Sequence, residues 1–598
     1  MSETQTIIHH LEQNAYRQGA RPAIHDKVTG QWRTRNWREY NLMTRRFAKG
    51  LLAAGFGEGD PLAILGANRP EWAVSALGAM RVGGISAGIY TSCSGEEIGY
   101  ILDHSEAPIV VVETLEQLDK VLEVWDSLPT LKGAILMEGA GSHEDPRVVT
   151  WEEFIESGNE IEDEELDAAL EALRPDQVAD FIYTSGTTGP PKAVMLTHEN
   201  LEWTARTIGG TVNLDTEDIA LSYLPLSHIA EQTNSLLMPM VFGYQVHFCH
   251  NGLELADYLP QVRPTTFFGV PRVWERFESG IKGKLSEATG AKAKIAEQAQ
   301  KVSREVIAME NEGKTPSKLL NAQYQAADKV VLSKIKSAIG LDRCRVFVSG
   351  AAPIPAASLE FFSSIGMPVT ELYGQSEGSG PTSTNLVGAN RYGTVGKAIP
   401  GVEVKIADDG EIMVKGKNIF AGYYKNDEET AAVLTDGWLH SGDLGTLDDD
   451  GYLSIVGRKK DIIITSGGKN VAPQNIEELL AGIDIVGTPV VIGEQQRFLI
   501  AVLTLDQEAA TRFAEENGLD AATLHEDPAV RTHIEDAIIK DVNPQMARVE
   551  HVRNFVVLPN EFTTATGELT PTLKVKRNVV ADKYADEIAA AYEAGQVL

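Results

Sequence analysis

Cysteine is scarce in this chain of 598 residues: Cys93, Cys249 and Cys344 are the only three, and they lie far apart. No two of them have the C-x-x-C spacing, so a disulfide framework or a cysteine zinc site is not expected. We therefore expect a reducing cytosolic environment and no thiol nucleophile.

Basic residues are fewer than acidic ones: the chain has 53 Lys and Arg, 85 Asp and Glu, and a formal net charge of −32. Such a chain lacks the positive surface that neutralises a nucleic-acid backbone, so a nucleic-acid partner is not expected. Electrostatic docking on anionic lipid is disfavoured for the same reason. An anionic substrate would have to be held by a local cluster of positive charge.

Long apolar runs are missing as well, and none approaches the roughly 18 residues that indicate a membrane-spanning helix. The N-terminus lacks the basic segment and apolar stretch that mark a signal peptide. We expect a cytoplasmic protein and leave peripheral membrane contact open. The chain is too long for a single hydrophobic core, which predicts two or more domains.

The most informative segment is rich in glycine and hydroxyl side chains and ends in a lysine: residues 183–192, Tyr-Thr-Ser-Gly-Thr-Thr-Gly-Pro-Pro-Lys. Its backbone N–H groups, hydroxyls and Lys192 can wrap an anion such as a phosphate. A Walker loop is disfavoured, because Gly186 and Gly189 are three residues apart and no Ser or Thr follows the lysine. The flanking segments are β-prone, so we predict strand, loop, strand. A plain surface hairpin is the alternative, although two prolines stiffen this loop.

Helix-like and strand-like segments alternate over residues 35–110, which predicts a parallel sheet flanked by helices. Two later predicted strands, at residues 343–348 and 368–372, are followed by loops of small residues. Ligands bind at the carboxyl ends of strands in open α/β sheets. The two loops are therefore predicted to form the floor of one pocket.

Composition changes twice along the chain. Residues 275–340 are rich in Ala, Lys, Glu and Gln and predict two or three amphipathic helices that form a solvated insert. After about residue 400 short strands predominate, and a basic patch at residues 457–461 interrupts the acidic sequence. We predict a large domain over residues 1–458, which carries the insert, and a smaller α+β domain over residues 459–598.

Four motifs follow one another along the chain: residues 183–192, 373–377 (Tyr-Gly-Gln-Ser-Glu), 438–443 (Trp-Leu-His-Ser-Gly-Asp) and 457–461 (Gly-Arg-Lys-Lys-Asp). Together they resemble the adenylate-forming superfamily, whose members include acyl-CoA synthetases, firefly luciferase and the adenylation domains of peptide synthetases. The likeness extends over about residues 20–580. The helical insert and the segment 569–574 look most like long-chain fatty acyl-CoA synthetases.

This resemblance implies an α/β fold: a large N-terminal domain of αβ-layered sheets with a small β-rich subdomain, and a smaller mobile α+β C-terminal domain. It also implies a reaction in two steps. A fatty acid carboxylate attacks the α-phosphate of ATP and gives acyl-AMP and pyrophosphate, after which coenzyme A takes the acyl group and AMP leaves. Neither step needs an enzyme nucleophile, so positioning and charge neutralisation should carry catalysis. The cofactor implied is Mg²⁺, which prefers oxygen ligands and phosphates.

The residues expected around the nucleotide follow from the motifs that carry the resemblance. Thr184 and Glu377 are expected at Mg²⁺, and Tyr373 is expected to stack on adenine. Asp443 is expected to bind the ribose hydroxyls, with Arg458 beside ribose and phosphate. The full set implied to contact ATP or AMP is Thr184, Ser185, Gly186, Thr187, Thr188, Gly189, Lys192, Gly350, Ala351, Ala352, Tyr373, Gly374, Gln375, Ser376, Asp443 and Arg458.

The catalytic set implied by the resemblance is Lys574, His228 and Glu377. Lys574 is expected to be a mobile lysine that bridges the carboxylate and the α-phosphate, with Lys576 as the competing candidate. His228 is expected to line the carboxylate site, and Lys460 to be the hinge on which the C-terminal domain rotates. The loop expected at the thioester site comprises Gly467, Gly468 and Lys469, and the acyl tunnel Trp274, Phe267 and Phe268.

The leading hypothesis is an ATP-dependent ligase that joins a long-chain fatty acid to coenzyme A, with fatty acid, ATP and coenzyme A as partners. The alternatives are an acyl-AMP ligase that loads a carrier protein and a non-catalytic nucleotide- or acyl-binding protein on the same fold. A plain ATPase is disfavoured by the spacing of the glycines. The chain departs from some relatives at Ile464, where they carry a lysine near the nucleotide, which leaves that phosphate contact open. Oligomeric state, acyl chain length and pathway are left open.

Overall fold

The computed structural model describes residues 5–184, 190–570 and 574–598. In the first of these ranges, helices and strands alternate as predicted. The strands are β1 (Pro22–Val28), β2 (Gln31–Asn36), β3 (Pro61–Leu65), β4 (Ile85–Ile89), β5 (Ile109–Val112), β6 (Gly133–Leu136), β7 (Val148–Thr150) and β8 (Val178–Thr184). The helices are α1 (Ile7–Arg17), α2 (Trp37–Ala53), α3 (Pro70–Arg81), α4 (Gly95–Ser105), α5 (Leu115–Val124), α6 (Trp151–Ser157) and α7 (Asp163–Glu171).

The middle of the chain adds further strands and most of the long helices. The strands are β9 (Lys192–Thr197), β10 (Ile219–Ser222), β11 (Gln245–Phe248), β12 (Thr266–Gly269), β13 (Val346–Ser349), β14 (Thr370–Gln375), β15 (Gly380–Thr384) and β16 (Lys397–Ala398). The helices are α8 (His198–Thr211), α9 (Ile229–Gln232), α10 (Met238–Phe242), α11 (Leu255–Val262), α12 (Pro271–Ser286), α13 (Ala291–Asn311), α14 (Lys318–Ala327), α15 (Ser333–Ala338) and α16 (Ala356–Ser364).

Short strands dominate the last third. They are β17 (Glu403–Ile406), β18 (Glu411–Lys415), β19 (Gly422–Tyr423), β20 (Leu434–Thr435), β21 (Trp438–Leu447), β22 (Leu453–Arg458), β23 (Ile463–Ile464), β24 (Asn470–Val471), β25 (Val486–Ile492), β26 (Leu499–Leu505) and β27 (Val552–Val557). The helices are α17 (Asp427–Val433), α18 (Pro473–Ala481), α19 (Gln507–Asn517), α20 (Pro528–Ala537), α21 (Arg577–Lys583) and α22 (Ala585–Ala594).

An eight-stranded sheet with the order β19-β9-β8-β4-β3-β5-β6-β7 forms the first layer. It is parallel from β8 to β7, and β9 closes it antiparallel to β8. The central strands β3 and β4 are buried along their whole length, which is why they read as continuous apolar runs rather than alternating ones. The predicted parallel sheet flanked by helices is confirmed.

Two further sheets complete the larger part of the molecule. One has the order β10-β11-β1-β2, and the other has the order β12-β13-β14-β15-β16 and is parallel over its first three strands. In the parallel register Thr266 lies opposite Val346, and Phe268 lies opposite Val348. The first predicted small-residue loop follows β13, whereas residues 373–375 of the second continue β14 and pair with β15.

The β-rich part follows, with β17-β18-β21-β20 in one sheet and β22 paired to β21. Beyond it lie a two-stranded sheet, β23-β24, and a three-stranded sheet, β25-β26-β27. Two hydrophobic clusters are built wholly from residues 463–598, whereas the other three draw on residues 7–455. The predicted fold class, layered α/β sheets with a β-rich part and a smaller α+β part, is confirmed.

The predicted insert is helical and comprises α12 to α15, with a π-helical turn at residues 328–332 that joins α14 to α15. Helices α13 and α16 pack together, and the Ser303 hydroxyl donates to the carbonyl of Ser363 at 2.7 Å. No helix within the described residues is both long and apolar enough to cross a lipid bilayer.

Candidate active site

A cavity of about 640 Å³ lies where the eight-stranded sheet, the β12–β16 sheet and the β-rich part meet. Among the described residues, five basic side chains line it and only three acidic ones. It therefore supplies the local positive charge that an acidic chain needs to bind an anion. The sequence-predicted site residues along its wall are Thr184, Lys192, His228, Phe268, Ala351, Gly374, Gln375, Ser376, Glu377, Arg458, Lys460 and Lys574.

Strand β8 ends at Thr184 and β9 begins at Lys192, and these two residues pair across the antiparallel ladder. The predicted strand–loop–strand arrangement is confirmed at both ends of the loop. Ser185, Gly186, Thr187, Thr188 and Gly189 lie outside the described residues. Lys192 forms an ion pair with Glu429 on α17, and its ammonium lies 5.2 Å from the centre of the Tyr423 ring. Burial lowers the pKa of Lys192, and the nearby Lys460 adds to this.

The loop after β13 and the last residues of β14 lie next to each other at the carboxyl end of the sheet. Ala351 has a positive φ of 70°, an unusual conformation for a residue with a side chain. At Gly374 a Cβ atom would come within 1.7 Å of the carbonyl oxygen of Gly380, so only glycine fits. Ala351 and Gly374 line the cavity, while Gly350 and Ala352 flank Ala351 without contributing to its wall.

Tyr373, Asp443 and Arg458 form one group, joined by a hydrogen bond and an ion pair. The Tyr373 hydroxyl donates to Oδ2 of Asp443 at 2.7 Å, and Nε of Arg458 lies 3.1 Å from Oδ1 of the same carboxylate. Residues 443 and 458 are opposite each other in the β21–β22 ladder, which fixes this arrangement. Burial works against the charge on Arg458, yet Asp443 and Glu377 hold its pKa above the ordinary value.

Glu377 follows β14 in a short 3₁₀ turn and lines the same cavity as Thr184. Its Oε1 accepts a hydrogen bond of 2.8 Å from the Tyr423 hydroxyl. The backbone carbonyl of Glu377 also accepts from the amide of Phe420 at 2.9 Å, which ties the turn to the segment before β19. The carboxylate is thus held in place beside the cavity.

His228 precedes α9 and caps it. The amide of Ala230 donates to Nδ1 of His228 at 3.1 Å, so Nδ1 is the acceptor and the ring proton is on Nε2. Burial lowers the pKa of His228 to about 4, and the positive charge of Lys574 adds to this. The imidazole is neutral at physiological pH and can present an N–H donor to the cavity.

Sequence reasoning missed Glu231, which lies one helical turn after His228. Its carboxyl is fully enclosed, and burial raises its pKa to about 8. Oε2 accepts from the amide of Leu224 at 3.3 Å, and the Ser235 hydroxyl also donates to the carboxyl. Glu231 thus connects the loop that precedes His228 to the helix that follows it. The sequence around Glu231 contains no motif that would have indicated this role.

Lys574 and Lys576 occupy different surroundings. Lys574 lines the cavity, and its amide donates to the Thr570 hydroxyl at 3.0 Å. Burial lowers its pKa, and Arg458 adds to this, while Asp443 and Glu377 oppose it. Lys576 lies at the start of α21, where its amide donates to the carbonyl of Glu568. Of the two candidates, the structure brings Lys574 to the site.

Other predicted residues lie away from the cavity wall. Gly467, Gly468 and Lys469 form the exposed tip of the β23–β24 hairpin. Trp274 and Phe267 are fully buried, with ring centres 5.4 Å apart, and Nε1 of Trp274 donates to the carbonyl of Gly269. Because side chains alternate along a strand, Phe267 points to the face opposite Phe268. Of the three aromatic residues expected in the tunnel, only Phe268 reaches the cavity.

This fold, with β8 and β9 on either side of the glycine-rich segment and with its cluster of Asp443, Arg458, Glu377 and Lys574, is that of the adenylate-forming enzymes. Two solved structures share it at low sequence identity. The anthranilate CoA ligase AuaEII in complex with anthranoyl-AMP has a TM-score of 0.74 and 20% identity, with 99% of each chain covered. The adenylation domain of a carboxylate reductase from Mycobacterium chelonae has a TM-score of 0.75 and 20% identity, with 99% of this chain and 92% of that chain covered.

The chain belongs to the AMP-binding enzyme family, whose profile matches residues 11–424, and the profile of its C-terminal domain matches residues 460–596. The long-chain-fatty-acid–CoA ligase ACSBG2 of Xenopus laevis is 37% identical over 620 residues, which cover 98% of this chain and 84% of the relative. The long-chain-fatty-acid–CoA ligase ACSBG1 of Homo sapiens is 37% identical over 604 residues, which cover 96% and 83%.

Proposed function

We propose that this chain activates a long-chain fatty acid with ATP, giving acyl-AMP and pyrophosphate, and then transfers the acyl group to coenzyme A. The observation that carries the proposal is the convergence of Lys192, Arg458 and Lys574 on one cavity in a chain of formal charge −32. Three cations around one pocket suit a triphosphate attacked by a carboxylate, where negative charge accumulates.

Each residue has a proposed part in the first step. Lys192 holds the β- and γ-phosphates that leave as pyrophosphate, after exchanging its ion pair with Glu429 for the phosphate charge. Asp443 accepts hydrogen bonds from the ribose hydroxyls, beside the ring of Tyr373. Lys574 neutralises the attacking carboxylate and the α-phosphate, and the neutral His228 donates from Nε2 to a carboxylate oxygen.

The residues present fit Mg²⁺ as the cofactor. Thr184 and Glu377 offer a hydroxyl and a carboxylate to the same cavity, and oxygen ligands of this kind are those that Mg²⁺ prefers. Within the described ranges no group of three or more His, Cys, Asp or Glu side chains is arranged to hold a metal. The ion would therefore be shared with the phosphates, whose charge it would neutralise.

We propose a domain boundary between Arg458 and Lys459, with Lys460 as the hinge. Lys460 lies in a 3₁₀ turn, residues 459–461, between the last strand of the β-rich part and the separate core that begins at Ile463. Rotation there would exchange Lys574 for the exposed loop of Gly467 and Gly468 at the cavity. A cytosolic location is proposed as well, in keeping with the three free thiols.

The test is an assay with ATP, Mg²⁺, palmitate and coenzyme A. We expect AMP, pyrophosphate and palmitoyl-CoA in equal amounts, measured by chromatography and mass spectrometry. Release of ADP and phosphate would overturn the proposal. Pyrophosphate without acyl-CoA, together with transfer to an added carrier protein, would identify the acyl-AMP ligase instead, and nucleotide binding without turnover would identify a non-catalytic protein.

A further inference from the structure

The cavity has an apolar limb that leads away from the charged residues. It lies against one face of the β12–β13 pair, with α8 and the turn after it on the other side. Its wall is largely aliphatic and aromatic. The residues that matter here are Ile208, Val212, Leu214, Phe268, Val346 and Val348.

Strand geometry gives this limb a direction. Phe268 and Val348 are paired in register near the carboxyl ends of their strands, next to the loop that carries Ala351. Val346 is the first residue of β13, at the opposite end of the sheet. The two residue steps from Val348 to Val346 cover about 7 Å. The limb therefore runs along the strands from the nucleotide loops towards the amino end of β13.

A turn lies across that amino end. It follows α8, comprises residues 212–214, and contributes Val212 and Leu214 to the wall of the cavity. Asn213 has a positive φ of 54°, and the amide of Leu214 donates back to the carbonyl of Gly209 at 2.9 Å. The chain thus reverses abruptly at this point and presents two apolar side chains to the limb.

Arg345 holds this turn in place. It immediately precedes Val346, and its guanidinium donates to the carbonyls of Val212 at 3.1 Å and of Asn213 at 2.8 Å. The same group pairs with the buried carboxylate of Asp218, with Nε at 3.2 Å from Oδ1. Asp218 also accepts a hydrogen bond from the Thr265 hydroxyl at 2.6 Å, so the carboxylate that pairs with Arg345 is itself held in place.

We propose that the turn at residues 212–214, fixed by Arg345, closes the acyl limb and sets the longest fatty acid that the enzyme accepts. Arg345 is a positioning residue: it does not line the cavity, and it acts by holding Val212 and Leu214 against the end of the limb. A chain too long for the limb would have to push the turn outward and break the contacts of Arg345 to two carbonyls. This inference rests on the proposed function, because it takes the limb to be the acyl site.

The experiment compares kcat/KM across saturated fatty acids of increasing length, with pyrophosphate release as the readout. For Val212→Phe we expect the ratio of kcat/KM for long acids to kcat/KM for short acids to fall at least about tenfold. The larger side chain would exclude methylene groups of the longer acids from the limb. For Leu214→Ala we expect the ratio to shift towards longer acids. A ratio between two acids is independent of the amount of folded enzyme, so a partly unfolded variant still gives a result.

Arg345→Lys tests the clamp itself. Lysine keeps the charge beside Asp218 but lacks the planar fork that reaches two carbonyls, so we expect weaker discrimination against long acids. Val330→Phe, at a valine that is 52% exposed, is the matched control and should keep the wild-type profile. The inference is overturned if Val212→Phe, Leu214→Ala and Arg345→Lys all keep the wild-type length profile, or if they lower kcat/KM equally for every acid. Either result would leave the proposed function standing. Failure of the wild-type protein to activate any acid would instead overturn the proposed function.

Discussion

Two lysines separated by one residue have very different surroundings, and this difference makes the role of Lys574 testable. Lys574 lines the cavity beside Arg458, whereas Lys576 immediately precedes α21. We expect Lys574→Ala to slow acyl-AMP formation by roughly 10²–10³-fold, the size of losing one charge-stabilising donor. Thioester formation from supplied acyl-AMP should change far less. Lys576→Ala is the control, and comparable losses in both variants or in both half-reactions would contradict the assignment.

Glu231 supports a second residue-scale prediction. Because burial raises its pKa to about 8, the carboxyl is mainly protonated at neutral pH, and a neutral amide of the same shape should replace it. We expect Glu231→Gln to keep adenylation within a few-fold of wild type. Glu231→Ala removes the acceptor for the amide of Leu224 and should lower both activity and melting temperature. The measurements are the adenylation rate and the melting temperature of each variant. If the Gln variant loses as much activity and stability as the Ala variant, the charged form of Glu231 is needed.

At the scale of elements, the sequence predicted what depends on local pattern. Helix α2 (Trp37–Ala53) has apolar residues at helical spacing and an Asn36–Glu39 capping box, and it lies in the region where alternating helices and strands were predicted. The buried strand at residues 61–65 was recognisable as a short apolar run. The glycine-rich segment at residues 183–192 and the small-residue loop after β13 were recognisable from their residue types. Such features are encoded within a few residues of each other.

Contacts between distant segments were not predictable in this way. Lys192 and Glu429 are 237 residues apart, and only the folded sheets bring them together. The aromatic run at residues 267–268 was assigned to the tunnel as a unit, although strand alternation sends the two rings to opposite faces. The apolar limb of the cavity is lined by residues of α8, β12 and β13, whose association no local pattern reveals.

The turn that contains Lys460 carries a prediction for the element that joins the two parts of the chain. Proline at position 460 restricts its own φ and disfavours the helical region for Lys459, so it should resist a large rotation there. We expect Lys460→Pro to lower thioester formation from acyl-AMP at least about tenfold more than it lowers adenylation. Lys460→Ala removes the side chain without restricting the backbone, so it separates the effect of the side chain from that of the backbone. The hinge assignment is wrong if the Pro and Ala variants behave alike. Single-turnover assays of each half-reaction provide the measurement.

For the whole molecule, buried ionisable groups make stability depend on pH in two opposing ways. Burial lowers the pKa of His198 from 6.5 to about 4, so between these values the unfolded chain binds more protons and stability rises with pH. Burial raises the pKa of Asp180 from 3.8 to about 7, and the neighbouring Ser86 and Gln232 side chains oppose this rise only in part. Between those values the folded chain binds more protons, so stability falls as pH rises.

Between about pH 4 and 6.5 the effects of His198 and Asp180 on the free energy of unfolding oppose each other. From pH 6.5 to about 7 only the effect of Asp180 continues. We therefore expect Asp180→Asn to remove up to about 1.4 kcal/mol per pH unit of the decline in unfolding free energy. His198→Phe should have the opposite effect and flatten the loss of stability on the acid side. Denaturant unfolding from pH 5 to 8 measures both slopes. An Asn variant with the wild-type slope would mean that Asp180 is already ionised in the folded protein, and the buried strand β8 would then hold a charge.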